Sequence, residues 1–266
     1  MTRTDTQHVA VQTLDAALSE GDWFPGGTAV SHLRVYDWPT VDGLAGGSPH
    51  LHTASSEGYV VIRGEGVLES LSGAGYDETP LQPGTLLWFT PGTVHRLVNR
   101  DGDLEILVVM QNAGLPEAGD AVLTYPPEIL ADPEAYAAVT RLPDAAEVGE
   151  RAVEEAARRR RDLAIEGYLR LREAVLRDGP AALADLHRAA AALVQDRAAG
   201  WRHLWQERPL AQAERTGRHL EALAAGNGDH LANATLYTAG MVPGPRRFGM
   251  CGRLRVWDLD GVRPVR

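Results

Sequence analysis

Between Thr28 and Met110 the apolar residues come in short runs rich in Val, Ile, Leu, Tyr and Trp, namely AVSHLRVYDW, GYVVIRGEGVLESL, GTLLWFT and LEILVVM. Gly, Pro, Asp and Asn separate them, which marks strands bounded by turns. Short strands at such regular spacing point to a barrel or sandwich. The character changes near residue 143. AGLPEAGDAVLTYPPEILADP reads as a proline-rich connector, and from Asp144 to Ala225 the chain is dominated by Ala, Arg, Glu and Leu, all strong helix formers. Three helices are readable there, with breaks at Asp178-Gly179-Pro180, Pro209 and Gly226-Asn227-Gly228. Leu183, Leu186, Ala190, Leu193 and Val194 recur at helical spacing, the mark of a stripe packed on a partner surface. The run Arg158 to Arg161, with Glu154, Glu155 and Asp162 beside it, reads as a solvated helix face. After Gly228 strand-like text resumes in ATLYTAGMV and FGMCGRLRVWDL. The expected division is a β-barrel domain with an N-terminal arm over 1–143, a helical segment over 144–226, and strands over 227–266 that return to the barrel.

A chain of 266 residues, 44% hydrophobic, can bury a sizeable core. The start, MTRTDTQHVAVQTLD, has no basic segment followed by an apolar one, and no later stretch stays apolar for long enough to cross a bilayer. A cytoplasmic protein with no membrane partner is the expectation. Cys251 is the single cysteine, so it has no partner for an internal disulfide or a CxxC site and reads as a small buried hydrophobe. The net charge of −10 repels phosphate backbones, and nucleic acid is not an expected partner. All 26 basic residues are arginine. That excludes a P-loop lysine, Schiff-base chemistry with pyridoxal phosphate, and lysine general bases.

The chemistry concentrates in SPHLHTASSEGYVVIRGEG, residues 48–66. Residues two apart on a strand share a face, so His50 and His52 point the same way. Pro49 disfavours a helical entry, and the GYVVI that follows forms strands. From Glu57 the same parity places Tyr59, Val61 and Arg63 on one face, and a hairpin between the two segments would bring Glu57 opposite the histidines. In GTLLWFTPGTVHRLVN the Thr90-Pro91-Gly92 turn lets His95 enter a strand with Leu97 and Asn99 on its side. His8, His32, His187, His203, His219 and His230 lack partners at ligand spacing.

Together these two segments resemble the paired motifs of the cupin superfamily. His50, His52, Glu57 and Gly64 stand at the gaps of its first motif; Gly84, Pro91, Gly92, His95 and Asn99 follow its second. Two turn positions depart from the pattern: Thr90 precedes the shifted Pro91, and Leu44 stands where a glycine is usual. The resemblance implies a mainly β fold, a cupin-type jelly-roll barrel with an α-helical extension. It also implies one divalent transition metal per chain, held by His50, His52, Glu57 and His95. Three imidazoles and a carboxylate suit Fe(II), the favoured ion, or Mn(II), Ni(II) or Zn(II). Tyr59 and Arg63 are the candidate catalytic residues, with Trp88 and Arg96 as further candidates for the pocket. Cupins host many reactions. An Fe(II)-type oxygenase acting on a small organic substrate is the first reading, a metal-dependent isomerase, epimerase or lyase the second, and a non-catalytic binding or sensor protein the third. The helices are expected to cap the barrel mouth or to build a homodimer interface.

Overall fold

The short apolar runs form antiparallel strands, because alternate residues of each can face a shared interior while the others face outward. In the computed structural model, which describes residues 23–259 and 262–264, they are β1 (Ala29–Val35), β2 (His50–His52), β3 (Glu57–Arg63), β4 (Gly66–Ser72), β5 (Gly75–Leu81), β6 (Leu86–Phe89), β7 (Val94–Asn99), β8 (Glu105–Met110) and β9 (Ala121–Leu123). Helices α1 (Pro127–Leu130), α2 (Pro133–Thr140), α3 (Ala145–Val148), α4 (Glu150–Asp178), α5 (Ala184–Trp205) and α6 (Ala211–Ala224) follow. The chain then gives β10 (Tyr237–Thr238), β11 (Arg247–Phe248), β12 (Gly252–Val256) and β13 (Arg263–Pro264). The amino-terminal arm with His8 lies outside the described residues, as do residues 260–261 and 265–266.

One sheet runs in the order β11-β12-β1-β8-β3-β6, and the facing sheet in the order β5-β4-β7-β2-β9. Their inner faces close over a core that includes Leu33, Tyr59, Val61, Leu97, Ile106 and Cys251. The segment after the helices rejoins this barrel, since β12 lies antiparallel to β1 with Leu254 opposite Leu33. The stretch expected to be a connector is in part a strand: β9 pairs with β2, and its Ala121, Val122 and Leu123 are all buried.

A second core lies on the outer face of the five-stranded sheet. Leu51, Val94 and Val122 point away from the barrel interior and pack with Tyr168 of α4 and with Leu186, Ala190 and Val194 of α5. Leu183 of the expected stripe is buried there too, and Leu193 packs against the cluster. Every residue of β7 is therefore buried, His95 and Leu97 inside the barrel, Val94 and Arg96 under the helices. Burial of one large apolar side chain is worth roughly 1.5–3 kcal/mol. This layer fixes the sheet from behind.

The run from Arg158 to Arg161 departs from the expected solvated face. Four consecutive residues exceed one helical turn, so they cannot share a side. Arg159 is exposed, whereas Arg160 and Arg161 are buried. Arg161 Nη1 donates to the carbonyl of Trp38 at 2.7 Å and of Gly46 at 3.3 Å, and its Nη2 to that of Pro39 at 3.1 Å. Arg160 donates to the carbonyl of Gly249 at 2.6 Å. Arg158 stacks over Trp38 at 4.1 Å from the ring centroid. These arginines donate to carbonyls of irregular backbone, in the loop leading into β2 and in the return to β12. Arg161→Met removes the donors from three of them and should destabilise the protein by about 2 kcal/mol. Thermal denaturation beside the parent chain measures this, and an unchanged melting temperature would show that the loop holds without Arg161.

Candidate metal centre

β2 lies between β7 and β9, and its register places His50 directly opposite His95. His52, two residues on, shares that inward face. Glu57 opens β3 in the other sheet, where it pairs with Phe89 and Met110. The expected hairpin between the two segments is thus corrected: β2 and β3 are consecutive in sequence but belong to facing sheets, and Glu57 reaches the histidines across the barrel interior. Its Oε2 lies 3.1 Å from His52 Nε2 and 3.2 Å from His95 Nε2. His95 Nε2 lies 3.2 Å from His50 Nε2. One ligand atom from each of the four buried residues falls within 4.8 Å of the others.

The donor chemistry fits a cation. His50 Nδ1 stands 3.0 Å from the carbonyl of Ser48, and His95 Nδ1 stands 3.2 Å from that of Thr93. A carbonyl only accepts, so both Nδ1 atoms carry the proton and both Nε2 atoms present lone pairs. Those lone pairs face each other beside the Glu57 carboxylate with no proton to join them. Burial disfavours the charged form of His50 and moves it well below its ordinary range. Burial raises Glu57, but the hydrogen bond from a protonated His52 outweighs that and holds it well below the usual carboxylate range. His52 behaves differently. Burial opposes its charge too, yet hydrogen bonds with Asp120 and Glu57 push it up to about 9. A metal entering here would displace a proton from His52.

Asp120 is the part of the site that sequence reasoning missed. It is fully buried at the end of a turn spanning Pro116–Asp120, and its Oδ2 faces His52 Nδ1 at 3.5 Å. The backbone N–H groups of Thr53 and Ala54 donate to its Oδ1 at 2.9 and 2.7 Å, and that of Ser55 donates to its Oδ2 at 3.0 Å. Burial opposes the charge on this carboxylate, but His52 first, and then the bonds from Thr53 and Ser55, hold it well below its usual range. Such a partner sets the tautomer and ring orientation of a metal-binding histidine. The available signal was AVLT, a short β-forming run just after Asp120, within a segment whose prolines suggested a linker.

The other expected site residues separate. Tyr59 is fully buried in the barrel and stands edge-on to Phe89, with ring centroids 5.4 Å apart. Burial first, then the Glu57 charge, drives its hydroxyl well above the ordinary range. Arg63 is not brought to the centre. The β3–β8 register shifts between Val61 and Arg63, a bulge that turns Ile62 and Arg63 to the exterior, where Arg63 pairs with Asp103 at 2.8 Å. Trp88 is 72% exposed on the outside of edge strand β6. Arg96 is buried on the helix side, paired with Asp42 at 2.6 Å and Glu69 at 3.1 Å. His187 of α5 meets the carbonyl of Gly92 at 2.9 Å, and the Gly92 N–H donates to the carbonyl of His52 at 2.8 Å. The helices thereby touch the ligand strand through one turn. His32 pairs with Glu105, His203 with Glu207, and His219 stacks on His230, so none of them adds to the centre.

Gly64 and Gly92, the motif glycines flanking these strands, both have positive φ, at 77° and 86°. A Cβ at Gly64 would lie 2.4 Å from the backbone carbon of Asp103, so the approach of the β3–β4 turn to the segment before β8 requires glycine.

His50, His52 and Glu57 line one part of a cavity of about 610 Å³ at the barrel mouth. Leu33, Val108, Met110 and Leu254 form apolar walls, and Leu204 and Arg208, from the end of α5 and the turn after it, border it. This size falls within the roughly 300–1,000 Å³ usual for small-molecule sites. α4 and α5 thus cover the five-stranded sheet, and the end of α5 with the turn after it reaches the cavity.

The fold is a jelly-roll barrel whose buried His50, His52, Glu57 and His95 cluster suits a metal ion, and residues 40–110 match the Cupin domain family. This part of the chain is a cupin domain. Solved structures with partial similarity include an uncharacterized conserved protein with a double-stranded β-helix domain from Klebsiella pneumoniae subsp. pneumoniae (22% identity over 32% of this chain and 64% of that one, TM-score 0.24). A predicted oxalate decarboxylase from Thermotoga maritima shares 23% identity over 32% of this chain and 64% of its own, with a TM-score of 0.23. A TDP-fucose-3,4-ketoisomerase from Campylobacter jejuni shares 14% over 35% of this chain and 64% of its own, with a TM-score of 0.29. In each case the match spans less than two thirds of the other protein. No curated protein matches the sequence. Among the described residues no helix is long and apolar enough to cross a membrane.

His52→Ala should abolish retention of a transition metal by the purified protein while the barrel stays folded, as elemental analysis and circular dichroism would show. Equal metal content in parent and variant would refute the ligand set. Asp120→Asn keeps the shape of the side chain but weakens its hold on the His52 proton, and metal affinity should fall by roughly 10–100-fold. Competition with a chromophoric chelator measures that loss, and parental affinity would show that Asp120 only ties the loop.

Proposed function

We propose that this chain is a metal-dependent cupin enzyme acting on a small organic molecule, and that its reaction is an Fe(II)-type oxygenation. The observation that carries the reading is the convergence of four buried donor atoms within 4.8 Å beside a cavity large enough for a metabolite. His50, His52, Glu57 and His95 would hold the metal. Bound there, a divalent iron supplies redox chemistry toward dioxygen and a Lewis-acid centre for a chelating substrate.

The protein's own groups do the rest. Leu33, Val108, Met110 and Leu254 hold an apolar substrate body and exclude water from the metal side of the cavity. Ser48, Thr93 and Asp120 fix the three imidazole rings from behind, so the ligands need little rearrangement. Tyr59 stays a neutral phenol because burial and Glu57 oppose its ionisation. It can donate a hydrogen bond but is a poor proton acceptor. The carboxylates lining the cavity beside Glu57 are also engaged: Glu117 accepts from the Gly114 N–H at 3.1 Å, and Asp258 has a partner of its own. An isomerase or lyase needs a free base at the substrate. The shortage of one among the described lining residues favours chemistry centred on the metal.

Protein loaded anaerobically with Fe(II) should consume dioxygen in proportion to substrate loss when offered the right member of a panel of keto acids, catechols and chelating carboxylic acids. His52→Ala should consume none above background. Product formed without oxygen uptake would make the chain an isomerase or lyase, and saturable binding without any product would make it a binding protein.

A further inference from the structure

Much of the cavity wall comes from the segment beyond residue 240, outside the stretch that matches the cupin domain. There β11 pairs with β12 so that Arg247 stands opposite Leu254 and Phe248 opposite Arg253. Directly paired residues share a face of the sheet. Leu254 and Arg247 both line the cavity, whereas Phe248 packs on the other side against the Tyr36 and Trp38 cluster. Register thus aims a guanidinium at the same space that His50, His52 and Glu57 border.

The other charged groups of that lining are engaged. Arg208 donates to the carbonyl of Ala113 at 2.8 Å and stacks over Trp23 at 3.9 Å from the ring centroid. Glu117 is held by the Gly114 N–H, and Asp258 has its own partner. Arg247 makes no side-chain hydrogen bond or ion pair with the described residues, its pairing with β12 being through the backbone. It is a cation facing a cavity whose walls are otherwise largely apolar.

We propose that Arg247 recognises an acidic group on the substrate, so that this site takes an organic anion: an apolar body against Leu33, Val108, Met110 and Leu254, with an oxyanion paired to the guanidinium. The proposal rests on the cavity being the substrate site, as argued above. A guanidinium matches carboxylate and phosphate geometry alike. The test therefore compares 2-naphthoate, 2-naphthyl phosphate and the uncharged 2-naphthamide by isothermal titration calorimetry on the full metal-loaded chain, with metal content measured in parallel.

At least one anion should bind the parent about tenfold more tightly than the amide. Arg247→Ala should remove that advantage while leaving amide affinity and metal content unchanged, and Arg247→Lys should restore part of it. The preferred anion distinguishes carboxylate from phosphate recognition. Anion affinity that survives Arg247→Ala overturns the proposal. If that affinity instead disappears on metal removal, the acidic group sits on the metal; if Arg247→Ala only increases self-association, the charge guards the edge of the sheet. Failure of the parent to bind either anion also overturns it. A chain that holds no metal but still shows Arg247-dependent anion binding would refute the metalloenzyme reading and leave this one standing.

Discussion

A buried carboxylate facing three buried imidazoles across the barrel is the constraint on which the rest of the structure depends. Glu57 comes from one sheet and His50, His52 and His95 from the other, so their meeting also joins the two sheets. Bringing these groups out of water is costly unless their charges and lone pairs are matched. The protein matches the outer atoms itself, through Ser48, Thr93 and Asp120. The inner atoms, two imidazole lone pairs and a carboxylate, point at one another, and a divalent cation is the simplest group that satisfies all of them. Occupied, such a centre would be a cross-link between sheets as well as a site of chemistry.

The helical layer follows from the same need. A strand that carries ligands on one face and is open to water on the other is free to twist and fray; β7 has Val94 and Arg96 sealed under α4 and α5 instead. Arg96 brings a charge into that seam, where Asp42 and Glu69 balance it, and Glu69 also pairs with Arg172 of α4 at 3.2 Å. Arg161 draws the loop before β2 against α4 through three carbonyls. Ligand strands fixed from behind hold their donors near one geometry, which a metal centre rewards more than a flexible loop would. The helices are part of the barrel's working unit in this physical sense, for the outer face of the five-stranded sheet is their core.

The four clustered residues were legible in the sequence because their pattern is local. His50 and His52 obey strand parity, and His95 enters its strand from a recognisable turn, so spacing alone brings each to an inward face. What failed depended on the third dimension. Parity carried Arg63 inward, but a bulge after Val61 reversed it, and no local residue preference in VVIRG announces that irregularity. Glu57 was expected across a hairpin, yet four residues between two strands serve equally to cross to the facing sheet. Asp120 lay in text whose prolines spoke for a linker, although β9 forms there because β2 would otherwise be left with an unpaired edge. The arginines of α4 looked solvated because sequence shows their acidic neighbours and not the loop carbonyls that wait for them.

The division of labour within the chain limits what the metal motif can say about the reaction. Residues 40–110 contain all four candidate ligands, and this is the stretch that matches the Cupin domain family. Val108 and Met110 of that stretch wall part of the space beside these residues, but much of it is bounded elsewhere: by Gly114, Pro116 and Glu117 before β9, by Leu204 and Arg208 at the end of the helices, and by Met250, Leu254 and Trp257 in the returning segment. Three regions distant in sequence meet there because β12 must pair with β1 to complete its sheet, which brings the chain's last strands to the mouth of the barrel. The step that finishes the fold is therefore also the step that walls the cavity. A change in the return would reshape the cavity without touching the buried cluster, whereas a change in β2 or β7 would break the cluster without moving that wall, so much of the cavity's shape belongs to the part of the chain that the shared motif does not contain.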